Sequence, residues 1–360
     1  MSIKTIPQSH QNNFNLIRMV AASLVLVSHS FALTGLTEPL RNSLGVTWGS
    51  IAVDIFFVTS GYLVTASIVR GGNAKNFVIS RSLRIFPGLV VAIFLTTLIC
   101  SVWFTALSFS EFWSQWPTWR YLIRNSLLLL PQGIQWTLPE TLIGVPWDKG
   151  GGGAVNGSIW TLPVEIKMYL YLLGGYITCR FFVSKRSYTS QTIVAVFRPA
   201  CIVVSVVLLM ADLYLTSLGK HSLVLHMAAM FFVGGAFNLL AIDFKRTWGI
   251  ATFALIAVLL ATLGGAAWFL PVYTLGLPCI VLSMAYAPTP LLHGYNRLGD
   301  YSYGVYIYAF PVQQWSAYLI KGIGPWEMMA VCFPCVLILA VLSWNLVEKR
   351  ALALKPKVRH

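Results

Sequence analysis

The chain has 360 residues, of which 57% are hydrophobic and only 10% are charged. Because a soluble domain carries about 25% charged residues, this composition excludes a protein that faces water on all sides. The net charge of +14 would suit a nucleic-acid-binding protein, but here the basic residues lie between long apolar segments. The six cysteines lack the paired spacing of a zinc site. We therefore predict a membrane protein with no nucleic-acid partner and no metal site.

Ten apolar stretches are each long enough to cross a membrane, for which about 20 residues suffice. They lie at about 14–35, 49–69, 85–107, 159–183, 193–215, 222–241, 248–267, 269–287, 299–320 and 327–347. We interpret residues 248–286 as two spans broken near Pro271, with one long and one re-entrant segment as the alternative. The sequence thus predicts an all-α polytopic membrane protein with about ten transmembrane helices, forming a single domain over residues 1–360.

Lysine and arginine are roughly three times more frequent on one side of these spans, which the positive-inside rule assigns to the cytoplasm. Both termini then lie in the cytoplasm, and residues 348–360 form a short cytoplasmic tail. Residues 108–157 form an outer loop whose tryptophans suit either an aromatic belt at the headgroups or a surface for stacking on sugar rings. These are Trp113, Trp116, Trp119, Trp136 and Trp147. The predicted location is the cell inner (plasma) membrane, as a multi-pass protein.

Few ionisable side chains fall inside the predicted spans, and each is a candidate functional group because burying a charge in lipid is costly. Arg18 and His29 share one face of the first helix, since their separation is about three turns and about 16 Å of rise. Asp54 and Glu165 enter from the outer side to a depth similar to that of His29. An imidazole held by a carboxylate is a general base towards a hydroxyl group, or a proton relay in a transporter.

Three other histidines lie in or beside the predicted spans, and we expect them to be dispensable. His221 and His293 fall near span ends, where imidazole is easily hydrated. His226 lies within a span but has no acidic residue near it in the sequence. His29 is therefore the single candidate for the base.

Two arginines lie at the cytoplasmic side of the third predicted span. Arg81 and Arg84 are three residues apart, which places both guanidinium groups on one helix face. The planar guanidinium binds phosphate through two parallel hydrogen bonds. Spacing alone leaves open whether this pair binds a phosphorylated ligand or the inner leaflet.

Five segments resemble, in order, motifs of the membrane acyltransferase-3 family, and the resemblance extends over most of the chain. The motifs are an Arg followed by a His eleven residues later, Val-Asp-x-Phe-Phe-x-x-Ser-Gly, Arg-x-x-Arg-Ile-x-Pro, Trp-x-Leu-x-x-Glu and Leu-Gly-x-x-Ser-Tyr-x-x-Tyr. They lie at Arg18–His29, Val53–Gly61, Arg81–Pro87, Trp160–Glu165 and Leu298–Tyr306.

The family acylates cell-surface carbohydrates with acyl-CoA, so the resemblance implies a membrane-bound O-acyltransferase. Its donor would be acyl-CoA from the cytoplasm, with acetyl favoured and succinyl open, used as a co-substrate and not as a permanently bound cofactor. The phosphates of the donor would bind at Arg81 and Arg84, with Arg18 beside them. The chain carries no appended esterase-like domain, which implies a single-domain enzyme.

The acceptor would be a hydroxyl group of an exported polysaccharide or of a lipid-linked sugar, reached from the outer side. The resemblance implies that His29 acts as general base or as an acyl relay, and that Glu165 or Asp54 orients its imidazole. Trp160 and Ser158 would contact the acceptor.

One position departs from the family pattern. Family members commonly carry a histidine just before the proline of the last motif region, where this chain has Phe310 before Pro311. A mechanism with two histidines is therefore not expected. Two other functions remain open from the sequence, namely a proton-coupled carbohydrate or lipid transporter and a non-catalytic partner in polysaccharide export.

Overall fold

The structure is a computed structural model and describes residues 12–71, 73–129, 138–140, 154–184, 190–244, 248–289 and 294–356. Within these ranges the regular structure is helical and contains no β-strand. The helices are α1 (Phe14–Thr34), α2 (Pro39–Leu44), α3 (Trp48–Gly71), α4 (Ala74–Trp103), α5 (Phe109–Ser114), α6 (Trp116–Ser126), α7 (Leu162–Ser184), α8 (Ser190–Ser217), α9 (Leu223–Leu239), α10 (Trp248–Ala261), α11 (Gly265–Ala285), α12 (Ser302–Leu319), α13 (Pro325–Ser343) and α14 (Lys349–Ala353).

Six helical segments are long and apolar enough to cross a membrane, which confirms an all-helical membrane protein. They are Phe14–Thr34, Trp48–Arg70, Ala74–Trp103, Gln191–Ser217, Trp248–Ala285 and Pro325–Ala353. Each of the ten predicted stretches is largely helical, and α9 is apolar but shorter than these six. The count of ten spans and the side of the membrane on which the termini lie stay predictions.

Two predicted helix boundaries are wrong, and one of them affects the site. The third span was expected to begin at about residue 85, but α4 begins at Ala74, after Asn73 accepts hydrogen bonds from the Lys75 and Asn76 amides. Arg81 and Arg84 were expected on one helix face at the entry to this span, and they lie within α4.

The second wrong boundary lies in the run 248–286. The break was expected near Pro271, which instead lies inside α11, and the chain turns at Gly265 with a φ of 67°. This left-handed conformation favours glycine, whereas proline is tolerated within helices that neighbouring helices surround.

The centre of the fold is a close packing of α3 on α9. A Cβ atom at Gly61 would lie 1.9 Å from the Phe231 carbonyl oxygen, and one at Gly234 would lie 2.2 Å from that of Val58. Small residues of this kind let helix backbones approach each other in membranes. Helices α1, α8 and α12 complete the core, since α1 packs on α3 and α12 while α8 packs on α9.

The outer loop is described in part and begins with two short helices, α5 and α6. Trp113 packs on Trp119 with ring centroids 5.6 Å apart, while Trp116 and Trp119 are exposed. Trp136 and Trp147 lie outside the described residues. The two interpretations of this tryptophan set, a headgroup belt and a sugar-stacking surface, both stay open.

Candidate active site

A large basic cavity lies beside the first turns of α1. It has a volume of about 990 Å³, and we call it the arginine cavity. Five cationic side chains and two carboxylates line it, so its charge favours an anionic ligand. The charged lining residues are Arg18, Arg70, Arg81, Arg84, Lys355, Glu165 and Asp300. The three arginines predicted to bind the donor thus lie on one cavity.

The three arginines differ in how many hydrogen bonds and ion pairs they make with other side chains of the protein. Arg84 donates a short hydrogen bond to Asp300 and lies 4.0 Å from a carboxylate oxygen of Glu348. By contrast, the buried Nε atoms of Arg18 and Arg81 have no hydrogen-bond partner among the described residues. Arg18 and Arg81 are therefore the arginines with hydrogen-bonding capacity left for a ligand, and Arg84 is held by the protein.

Lys355 adds a titratable cation to the arginine cavity. It comes directly after α14, in the segment predicted to be a tail. Helix α14 packs against α4. Burial, and to a smaller extent the neighbouring charges of Arg81 and Arg84, lower the pKa of Lys355 to about 8. Its charge is therefore present below about pH 8 and is lost above it.

A second cavity lies beside the other end of α1. It has a volume of about 480 Å³, and we call it the histidine cavity. Four of the predicted site residues line it: His29, Asp54, Ser158 and Trp160. The structure thus brings the proposed base, one carboxylate and both predicted acceptor contacts to a single cavity.

The imidazole of His29 makes no polar contact with the described part of the protein. Its Nδ1 atom is buried without a hydrogen-bond partner there. The ring packs in a T-shaped arrangement on Phe310, with centroids 4.8 Å apart. Packing and not a carboxylate therefore fixes the orientation of this imidazole, and the predicted carboxylate–His29 contact is wrong.

Asp54 contacts a different histidine. Its Oδ2 atom accepts a hydrogen bond from the Tyr273 hydroxyl at 2.7 Å and lies 3.2 Å from Nε2 of His226. The Nδ1 atom of His226 lies 2.7 Å from Oδ2 of Asp212. His226 was expected to lack an acidic partner, yet two aspartates flank it, because helix packing joins α3, α8 and α9 there.

His293 lies outside the described residues, and His221 is exposed.

Glu165 lies on the arginine cavity and not beside His29. Its Oε1 atom accepts hydrogen bonds from Ser60 at 2.9 Å and from Tyr169. Glu165 was expected at the depth of His29, but it lines the cavity beside the other end of α1. The Oγ atom of Ser158, the residue before the 3-10 turn Ile159–Thr161, makes no capping hydrogen bond.

A small void lies between the two cavities. Its volume is about 40 Å³, and its lining includes Arg18, Glu165 and Tyr303 from the arginine cavity. Val53 and Tyr306 line both the void and the histidine cavity. The void therefore borders both cavities through the lining residues that it shares with each.

The sequence matches the acyltransferase-3 family, described as an acyltransferase domain, over residues 11–345. The chain belongs to this family. It is 31% identical over 358 residues to an O-acetyl transferase of Shigella phage Sf6, covering 95% of this chain and 97% of the phage protein. It is 28% identical over 376 residues to nodulation protein 10 of Rhizobium leguminosarum bv. viciae, covering 96% and 94% of the two chains. No solved structure is significantly similar to it.

This acyltransferase is a membrane-bound enzyme that transfers acyl groups to oxygen, which confirms the family and the enzyme class that the sequence motifs predicted. The motifs meet in the fold of the acyltransferase. Tyr303 donates a hydrogen bond to the Ile85 carbonyl oxygen at 2.7 Å, and Tyr306 donates one to that of Ser158 at 2.6 Å. The last motif therefore holds the arginine helix α4 and the start of α7 in place.

Proposed function

We propose that the acyltransferase takes an acyl group from acyl-CoA bound in the arginine cavity and transfers it to a hydroxyl of a glycan bound in the histidine cavity. One observation carries this proposal: the two cavities lie at opposite ends of α1, and a small void between them shares lining residues with both. Acetyl is the favoured acyl group, because one relative is named an O-acetyl transferase. The acceptor is an exported polysaccharide or a lipid-linked sugar on the outer side of the inner membrane.

The arginine cavity suits the phosphates of coenzyme A because its cations outnumber its carboxylates. Arg81 and Arg18 supply guanidinium groups to the phosphates, and Lys355 adds a point charge. The pantetheine arm then extends along α1 towards His29, over about 16 Å of helix rise. The void between the two cavities has a volume of only about 40 Å³. Its lining side chains must therefore move apart for the pantetheine arm to pass.

His29 acts on the acceptor hydroxyl in the histidine cavity. As a general base it removes the hydroxyl proton while the oxygen attacks the thioester carbonyl; the C–S bond then breaks, and the coenzyme A thiolate leaves and takes up the proton from the imidazolium. As an acyl relay its nitrogen first attacks the thioester and releases the coenzyme A thiolate, and the acceptor hydroxyl then attacks the acyl-imidazole, which frees His29 while the hydroxyl proton passes to the thiolate. Phe310 fixes the ring in both routes, and Trp160 offers an aromatic face to the sugar.

The transporter and export-partner alternatives have less support. Membership of the acyltransferase family favours an enzyme, and the proton relay of a transporter would need Glu165, which contacts Ser60 and Tyr169 instead.

The test uses the full-length protein in proteoliposomes of known orientation, with radiolabelled acetyl-CoA on one side. The acceptor is surface polysaccharide purified from a strain that lacks the gene. Label on the polysaccharide, dependent on donor at the side of the arginine cavity, is expected, and mass spectrometry identifies the acyl group. Well-folded protein that neither consumes acetyl-CoA nor labels the polysaccharide contradicts the proposal.

A further inference from the structure

A buried row of four polar side chains in contact with one another borders the histidine cavity. It runs from Asp212 on α8 through His226 on α9 to Asp54 on α3 and ends at Tyr273 on α11. The contacts are 2.7 Å, 3.2 Å and 2.7 Å in that order. The exposed fractions of Asp54, Asp212 and His226 are 3%, 2% and 8%. Four helices thus contribute to one polar row in an otherwise apolar bundle.

Both ring nitrogens of His226 face a carboxylate oxygen. A neutral imidazole has one N–H donor and one acceptor nitrogen, whereas an imidazolium donates from both. Two flanking carboxylates therefore match the imidazolium, which has no lone pair with which to accept a proton from substrate. The nitrogens also point to different carboxylates, and among the described residues no group of His, Cys, Asp and Glu could hold a metal ion. His226 is thus a fixed cation between two anions and not a second base.

The consequence falls on Asp54. Its Oδ2 atom already contacts Tyr273 and His226, while its Oδ1 atom has no hydrogen-bond partner among the described residues. Asp54 lines the histidine cavity together with His29 and Trp160. An ionised carboxylate accepts hydrogen bonds only, so a ligand group at Oδ1 must be a donor. Sugar hydroxyls supply such donors, and an anionic substituent at this position would be repelled.

We propose that Asp54 binds the acceptor sugar through a hydroxyl beside the one that is acylated, and that His226, with Asp212 behind it, is the positioning residue that holds Asp54. The acceptor is then a sugar with at least two free neighbouring hydroxyl groups. This inference rests on the proposed function, and it assigns Asp54 to binding of the acceptor and not to orientation of His29.

The test measures initial rates of acetyl transfer by the full-length protein in nanodiscs, at saturating acetyl-CoA and varied concentration of the non-acetylated surface polysaccharide. Asp54→Asn keeps the shape of the side chain but puts an amide in place of the carboxylate. Since a hydrogen bond to a charged group is worth a factor of about 10 or more, Asp54→Asn should raise the acceptor KM by about that factor. The KM for acetyl-CoA, measured with the polysaccharide saturating and acetyl-CoA varied, should stay unchanged.

Three further variants separate positioning from folding. Asp212→Asn and His226→Gln should raise the acceptor KM in the same way. Tyr273→Phe removes a single hydroxyl and should raise it by only about threefold, because His226 still contacts the same oxygen of Asp54. Ser205→Ala is the matched control, because Ser205 on α8 bonds the Phe232 carbonyl oxygen on α9 at 2.7 Å and does not line the cavity. It should leave the acceptor KM unchanged.

The outcomes decide between the alternatives. A fall in kcat with unchanged acceptor KM in Asp54→Asn and Tyr273→Phe would show that Asp54 acts through His29, and it overturns the inference. If His226→Gln fails to fold, Asp54→Asn and Tyr273→Phe still decide. Absence of transfer by the folded wild-type protein contradicts the proposed function itself, whereas wild-type transfer with unchanged acceptor KM in the variants contradicts this inference alone.

Discussion

Phe310 packs against the imidazole of His29 in a T-shaped arrangement, with ring centroids 4.8 Å apart. Phe310 is the residue at which the sequence departs from the pattern that the family resemblance implies, so this departure lies next to the proposed base. The contact holds the ring by packing and leaves its buried Nδ1 atom without a partner among the described residues. The proposed base His29 therefore has no carboxylate beside it, unlike the histidine of a Ser-His-Asp triad.

His29→Ala should lower acetyl transfer by about 10²–10⁴-fold, because that is the usual contribution of a general base. Transfer is measured with purified protein at saturating donor and acceptor. Ser23→Ala is the control, since Ser23 lies on the same helix and bonds only the Met19 carbonyl oxygen. Transfer near the wild-type rate by a folded His29→Ala protein would remove His29 from the mechanism.

Arg81→Ala and Arg84→Ala should differ, although the two arginines share a motif. Arg81→Ala should raise the KM for acetyl-CoA by about 10-fold or more, because it removes a charged hydrogen-bond donor, and should leave the melting temperature nearly unchanged. Arg84→Ala should also lower stability, by about 3–5 kcal/mol, because it leaves the partly buried Asp300 unpaired.

The double variant Arg84→Ala/Asp300→Asn provides the check on this reasoning. It removes the unpaired negative charge of Asp300, so it should recover much of the lost stability in a thermal denaturation experiment without recovering donor affinity. Equal effects of Arg81→Ala and Arg84→Ala on stability would show that the ion pair with Asp300 is not what distinguishes them.

Glu165→Gln should act on the donor and not on the acceptor. The amide oxygen keeps the hydrogen bonds from Ser60 and Tyr169, while one of the two negative charges of the arginine cavity disappears. Acetyl-CoA should then bind roughly 2- to 10-fold more tightly, since a charge in a partly hydrated cavity contributes about 1 kcal/mol. Titration calorimetry measures this directly. A changed acceptor KM with unchanged donor binding would instead connect Glu165 to His29.

Lys355 gives the donor site a dependence on pH. Burial and then Arg81 and Arg84 lower its pKa to about 8, so its positive charge is present at pH 7 and largely lost at pH 9. The KM for acetyl-CoA should therefore rise several-fold between pH 7 and 9. In Lys355→Met the KM for acetyl-CoA should be high at both pH 7 and pH 9.

Lys321→Met is the control, because Lys321 is exposed and lies away from the cavity. It should show the same pH dependence as the wild type. A donor KM that is flat with pH in the wild type would argue against a role for Lys355.

Gly61→Ala should destabilise the protein by about 1–3 kcal/mol, the usual cost of adding a methyl group to a packed core. The added Cβ would lie 1.9 Å from the Phe231 carbonyl oxygen and push α3 away from α9. Gly174→Ala is the control, because a Cβ there meets nothing within 4 Å. A thermal shift assay should show a lower melting temperature for Gly61→Ala only. An equal melting temperature for both variants would mean that α3 and α9 can separate at little cost.

The sequence was sufficient to predict the helical membrane fold and the family. It also grouped Arg81 and Arg84 with Arg18, and Trp160 with Ser158, as the structure does. These predictions depend on hydropathy, on spacing along single helices and on motifs, all of which are local properties of the chain. Arg18 and His29 lie at opposite ends of α1 for the same reason, since helix rise fixes their separation.

Partners from different helices could not be predicted, because depth along a helix does not determine which way a side chain faces. Asp54 and Glu165 were placed at the level of His29 by their distance from the helix starts, yet one contacts His226 and the other Ser60. The approach of α3 to α9 through Gly61 and Gly234 brings Asp54 to His226. Hydropathy and motifs therefore determined the helices and the family, while rotation and packing of the helices decided which charges meet.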